Sequence, residues 1–287
     1  MRDACGAVRR RGSVDFMRSA WGWFLVLLMS ACSPGKPPAQ RPHVEFPPPQ
    51  PVSPPVVDPL WVKADGGDSV AQYNLALRLE GEKRMMEAAR YYRMAALQGL
   101  PEAQFNFALM QADGQGVPRN EEAAFVMLKN AATGGLAEAQ FNAGVWLSEG
   151  RGTRRVPAEG AKWLRQASVQ GHSEARVYYA GLVLRGEVLA LTGPQVTELA
   201  RWVNDEALKG DKGAQFYMGL MSARGLGVQP NQAEAYFWME VAARQGVAAA
   251  ARGRDLVAEK LTVEQVRQIR ARAEQFHPLA RPVAPPR

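Results

Sequence analysis

Five glycines, Gly99, Gly135, Gly171, Gly210 and Gly246, stand 36, 36, 39 and 36 residues apart, and each closes a stretch of similar pattern. A period of that length means one supersecondary unit used repeatedly, each unit too small to bury its own apolar face without a neighbour. Two further columns keep the step. Ala-Gln recurs at Ala71-Gln72, Ala103-Gln104, Ala139-Gln140 and Ala214-Gln215, with Ala175-Arg176 as the weakened copy. Eight residues before each closing glycine stands Tyr91, Met127, Trp163, Trp202 or Trp238. Three columns sharing the single 39-residue step define one register.

Each period accommodates two helices. The first helix of the second period is predicted from Pro101 through Ala112, with Pro101 in the first turn, where its missing N–H costs nothing. Ala71, Leu75 and Leu79, or Ala103 and Phe107, put one apolar face inward. Gly114-Gln115-Gly116-Val117, Gly150-Arg151-Gly152 and Gly225-Leu226-Gly227-Val228 then mark tight turns. Asn120 and Asn231 stand where the second helix needs an N-cap, and the closing glycine is the left-handed residue past its C-terminus.

Ala-Gln, Gly-x-Gly-Val, Trp and Ala-Ala-x-Gln-Gly over 36 residues resemble the Sel1-like repeat, a relative of the tetratricopeptide repeat. The resemblance covers about residues 68–247 and implies an all-α, right-handed solenoid. Five repeats are expected over 60–247 and a helical cap over 248–277, where Thr262 and Gln265 suggest a capping box. Val266, Ile269, Ala273 and Phe276 give that cap an apolar stripe, and residues 278–287 are expected as a disordered tail. The first repeat departs from the pattern by lacking the Gly-x-Gly turn. The fourth departs by its longer connection, Gly186 to Pro194, and by Glu206 where Ala is usual. These edits are expected to alter local curvature without breaking the stack.

The ends read differently. Arg9, Arg10, Arg11 and Arg18 precede the apolar run Trp21–Met29, and Ser30-Ala31-Cys32 follows, which is the layout of an export signal over residues 1–31. The run is too short to span a bilayer as a helix. It resembles a bacterial lipoprotein signal, which implies cleavage before Cys32 and its lipidation; an ordinary secretory signal is the alternative. Ser33 after the cysteine implies the outer membrane by the same resemblance. Translation from Met17 would give a more compact signal than translation from Met1. Residues 32–59 are Pro-rich and predict a semi-stiff tether reaching on the order of 80 Å.

The formal charge of +7 resides at the two ends, leaving the repeats near neutrality and without a basic stripe for nucleic acid. With Cys5 in the signal and Cys32 as the lipid site, the body has no thiol for a disulfide. His43, His172 and His277 are scattered and form no metal-ligand spacing, so no metal, cofactor or catalytic set is expected. The aromatic column at Tyr91 and the three tryptophans reads either as inter-hairpin core or as a ligand-stacking surface.

The candidate binding column is Asn74, Asn106, Asn142, Tyr178 and Tyr217, two positions after each Ala-Gln glutamine or its equivalent. It reads either as a solvated helix face or as a surface that hydrogen-bonds an extended peptide. The resulting expectation is a non-enzymatic scaffold, lipid-anchored and facing the periplasm, that binds an envelope protein or peptide in a concave groove. The alternative is a hydrolase or binder acting on peptidoglycan or β-lactams, like cysteine-rich secreted relatives, whose repeat cysteines this chain lacks.

Overall fold

A computed structural model describes residues 58–188 and 191–279. The signal, Cys32, most of the tether and residues 280–287 lie outside the described residues. Those described form thirteen α-helices and no strand. Five antiparallel hairpins make the body: α2 (Ser69–Gly81) with α3 (Met85–Leu97), α4 (Pro101–Asp113) with α5 (Glu121–Thr133), α6 (Ala137–Glu149) with α7 (Pro157–Val169), α8 (Ser173–Leu184) with α9 (Gly193–Leu208), and α10 (Lys212–Arg224) with α11 (Gln232–Arg244). Each second helix also packs on the first helix of the next hairpin, so the units stack in chain order.

Local chemistry sets the helix ends. The side chain of Asn120 accepts from Ala123 N at 2.9 Å, and that of Asn231 accepts from Ala233 N and Glu234 N. At the closing turns the chain reverses through a left-handed glycine, φ 93° at Gly135, with the following residue's N–H returning to the last turn of the helix. The second glycine of each Gly-x-Gly does something else. A Cβ on Gly116 would lie 2.2 Å from the Met85 carbonyl oxygen, and one on Gly152 equally close to that of Glu121. These turns press directly on the backbone of the preceding hairpin, and only glycine fits.

A hydrogen-bonded ladder crosses the hairpin interfaces. The side-chain amides of Gln72, Gln104, Gln140 and Gln215 donate to the carbonyls of Ala64, Ala96, Ala132 and Ala207, at 3.0 to 3.2 Å. Gln98, Gln170 and Gln245 in turn donate to Gln72, Gln140 and Gln215. Buried amides must be paired; here the bonds to the alanine carbonyls tie each hairpin to the preceding helix, and the glutamine–glutamine bonds close each hairpin on itself. The fourth repeat rewrites the ladder in charges. Arg176 donates to the Ser168 carbonyl at 3.2 Å and to the buried Glu206 carboxylate at 2.9 Å, which also receives Lys209 at 3.0 Å.

The tryptophan-register column splits. Tyr91, Trp202 and Trp238 are buried between hairpins, whereas Met127 and Trp163 are half-buried and partly exposed. Trp163 borders a surface hollow with Val156, Lys162 and Gln166.

Both ends of the stack are closed. α1 (Pro59–Asp65), with Asp58 as its N-cap, starts at Pro59, one residue inside the expected tether, and supplies the Ala64 carbonyl that Gln72 needs. It is the second helix of a half hairpin. At the other end α12 (Ala248–Ala258) begins two residues after Gly246, as α10 does after Gly210. Its segment, expected to fall outside the repeat, therefore keeps the first-helix register. α13 (Val263–Glu274) carries the expected capping box and covers α11 with Ile269 and Ala273. Phe276 meets Trp238 edge-on at 5.6 Å, and Arg272 forks onto Glu234 while lying 3.9 Å over the Phe237 ring. Pro278 and Leu279, expected to open a disordered tail, instead return to α9. Pro278 lies against Gly210, and Leu279 N donates to the Leu208 carbonyl at 2.8 Å.

Candidate interaction face

The first helices of the hairpins, α2, α4, α6, α8 and α10, stand side by side. Residue 73 and its equivalents follow the buried glutamine (or Arg176) by one position, which turns them away from the interface that the glutamine occupies. Tyr73, Phe105, Phe141, Val177 and Phe216 fill this column, and all five are half-buried. The sequence reading passed over them. Their signal was present as an aromatic directly after four of the five interface residues, Gln-Tyr once and Gln-Phe three times.

The structure places the candidate column beside this aromatic run, with five different local roles. Asn74 is exposed. Asn106 is half-buried within hydrogen-bonding reach of the Tyr92 hydroxyl, which donates to Glu80 at 2.7 Å. Asn142 donates back to its own helix at the Glu138 carbonyl, 2.8 Å away. The Tyr178 hydroxyl donates to Glu149 at 3.0 Å, stitching α8 to α6; burial first, and the carboxylate second, push this phenol up to about 12. Tyr217 lies over Gly181, where a Cβ would come 2.7 Å from its hydroxyl. Tyr178 and Tyr217 thus hold the first helices in place as well as lining their face, while Asn142 is tied to its own helix.

A hollow of about 240 Å³ opens on this face, lined by Tyr73, Glu102, Phe105, Asn106, Leu136 and Glu138. The stacked rings of Phe141 and His172, 4.6 Å apart, continue the surface toward α8. Such a surface offers broad apolar contact, ring faces and a few polar groups. Among the described residues no group of three His, Cys, Asp or Glu side chains is placed to hold a metal ion. No described helix is long and apolar enough to cross a membrane.

The Sel1 repeat family matches at residues 69–100, 101–136, 137–172 and 213–247. These are four of the five hairpins, cut at the turns just described. The chain is a Sel1-like repeat protein. The segment left unmatched holds Arg176, Glu206 and Lys209, whose charges replace the repeat's Gln, Ala and Gln.

The solved structures that share the Sel1-like fold with this chain include the following two. One is c5321, a protective antigen of uropathogenic Escherichia coli strains, at 26% identity and TM-score 0.56 over 76% of this chain and 47% of the antigen. This chain therefore spans under half the antigen's length. The other is a Sel1 repeat protein from Oxalobacter formigenes, at 24% identity and TM-score 0.56, over 74% of this chain and 89% of that one. No protein of curated function matches the sequence. Sel1 repeat proteins are in general non-enzymatic scaffolds that bind protein partners.

Proposed function

We propose that this Sel1-like repeat protein is a lipid-anchored scaffold of a bacterial cell envelope that holds an extended segment of a protein partner along the face of α2 to α10. The anchor is Cys32, the proline-rich segment spaces the repeats from the membrane, and the body faces the periplasm from the outer membrane. The lipoprotein-like layout of residues 18–33 supports the anchor and the location. The observation that carries the binding role is the half-buried column Tyr73, Phe105, Phe141, Val177 and Phe216, running through all five hairpins. A rigid stack presents such a surface already formed, so a partner segment bears most of the ordering cost of binding.

Two measurements test this reading. In cells, crosslinked capture of an envelope protein is lost on combined Asn106→Ala, Asn142→Ala and Tyr178→Phe substitution, while the melting temperature stays within a few degrees. Unchanged capture rejects the face. Cys32→Ser moves the protein from the membrane fraction to the soluble fraction, and continued membrane association of that variant rejects the lipid anchor.

A further inference from the structure

The charges bordering this face change sign along the stack. At the second position of the first helices stand Glu102, Glu138 and Glu174, and then, at the start of α10, Lys212. At the opposite helix end stand Asp113 and Glu149, followed by Arg185 and Arg224. In the aromatic register Phe216 is succeeded by Arg252 on α12.

Much of this charge is open to solvent. Glu102 and Glu138 are exposed, border the hollow on α4 and α6, and make no ion pair among the described residues. Each lies in the first turn of its helix, where the N-terminal dipole favours the ionised form. At the other end Lys212, Arg224 and Arg252 are exposed and likewise make no ion pair among the described residues.

Resting on the reading that this face holds a partner segment, we infer that the segment is charge-segregated. A lysine or arginine side chain enters the hollow between Glu102 and Glu138 against Phe105, apolar side chains follow the aromatic run, and carboxylates reach Lys212, Arg224 and Arg252. A cation gains there from two carboxylates and an aromatic face together. The sign change fixes which end of the segment lies on which hairpin, and complementary fields of this kind set register and encounter rate more than total affinity.

The test uses the full chain and two short fluorescent peptides of identical composition. One carries lysines at one end, leucine and phenylalanine in the middle and glutamates at the other end; its isomer alternates the charges. The segregated peptide binds about fivefold tighter by anisotropy at low salt, and the gap closes as ionic strength rises. Glu102→Gln with Glu138→Gln, a pair that leaves both helices their length and shape, brings the ratio to about one.

Equal binding of the two peptides, or binding of neither, overturns the charge rule. If envelope capture still depends on Asn106, Asn142 and Tyr178, the broader reading of the face survives that result. A concentration-dependent dimer that disappears in the Glu102→Gln, Glu138→Gln protein makes a second copy the occupant. Tighter peptide binding on removal of residues 33–57 makes the chain's own segment the occupant. Either outcome also overturns the inference.

Discussion

Arg176 Nη1 lies 2.9 Å from Oε1 of Glu206, and the same guanidinium donates through Nε to the Ser168 carbonyl. One arginine thus makes the hairpin-to-hairpin bond that glutamine makes elsewhere and also neutralises a carboxylate that the other repeats do not have. The Lys209 ammonium completes the cluster from the position of the second glutamine.

The three positions are therefore expected to behave as a unit. Arg176→Ala leaves a buried carboxylate with one cation and costs roughly 3 kcal/mol. Glu206→Ala costs about 2 kcal/mol, since Arg176 and Lys209 are partly exposed and regain water. The combined Arg176→Gln, Glu206→Ala, Lys209→Gln protein restores the pattern of the other repeats and falls within about 1 kcal/mol of the parent. Urea denaturation followed by circular dichroism measures all three; simple additivity would show that the cluster is not coupled.

Acid sensitivity follows from the same carboxylate. Burial works against its charge, but hydrogen bonds from Lys209, Arg176 and Ser173 outweigh burial and hold the Glu206 carboxyl below its ordinary range. Its folded value lies below its unfolded one. The stabilisation is therefore complete above the ordinary glutamate value of about 4.3, and is lost as pH falls through the lowered folded value. Denaturation midpoints of the parent and of Glu206→Gln, compared from neutral pH to below pH 4, are expected to converge on acidification. A constant gap would exclude Glu206 as the source.

The two kinds of glycine are predicted to differ sharply. Gly135→Ala meets nothing within 4 Å and carries only the strain of its positive φ, about 1 kcal/mol. Gly152→Ala drives a methyl group to 2.2 Å from the Glu121 carbonyl oxygen, forces two hairpins apart and costs roughly 3 kcal/mol or more. Equal losses in the two variants would mean that the turn does not seat against its neighbour.

Gln215 is fully buried and serves two bonds, to the Ala207 carbonyl at 3.1 Å and from Gln245 at 2.6 Å. Gln215→Leu keeps the volume but removes the buried side-chain donor to the Ala207 carbonyl, a loss of about 1 kcal/mol, while the exposed Gln245 amide turns to water. Hydrogen exchange is expected to rise first at the α9–α10 junction. Exchange unchanged there would remove the ladder from the account.

The hairpins were legible because their signals are local and repeated. The Ala-Gln step, the caps at Asn120 and Asn231 and the closing glycines each act within a few residues, and the structure carries all of them. The two half hairpins were not legible. α1 has a helix end, Gly66-Gly67, but a 32-residue step to Gly99, and α12 has Ala251 where its register calls for glutamine. The coupled charges of the fourth repeat were visible only as separate departures, since their pairing spans 30 residues of sequence. Gly134 shows the same limit: it stands where other repeats have glutamine, and a Cβ there would meet the Pro101 ring at 2.7 Å. The candidate column is read from the sequence as a polar helix face with side chains free to bind. Asn142 spends its amide on its own helix, and Tyr178 spends its hydroxyl on α6, a fact that depends on how the first helices line up.

The most direct test of the face is residue-by-residue crosslinking in living cells. A photoreactive amino acid placed at Asn74, Asn106 or Phe216 is predicted to attach to one discrete partner protein. The same residue at Val126 or Val169, exposed on second helices of the hairpins, is predicted to attach to none. Attachment of that partner through Val126 and Val169 but not through the first-helix positions would contradict the account.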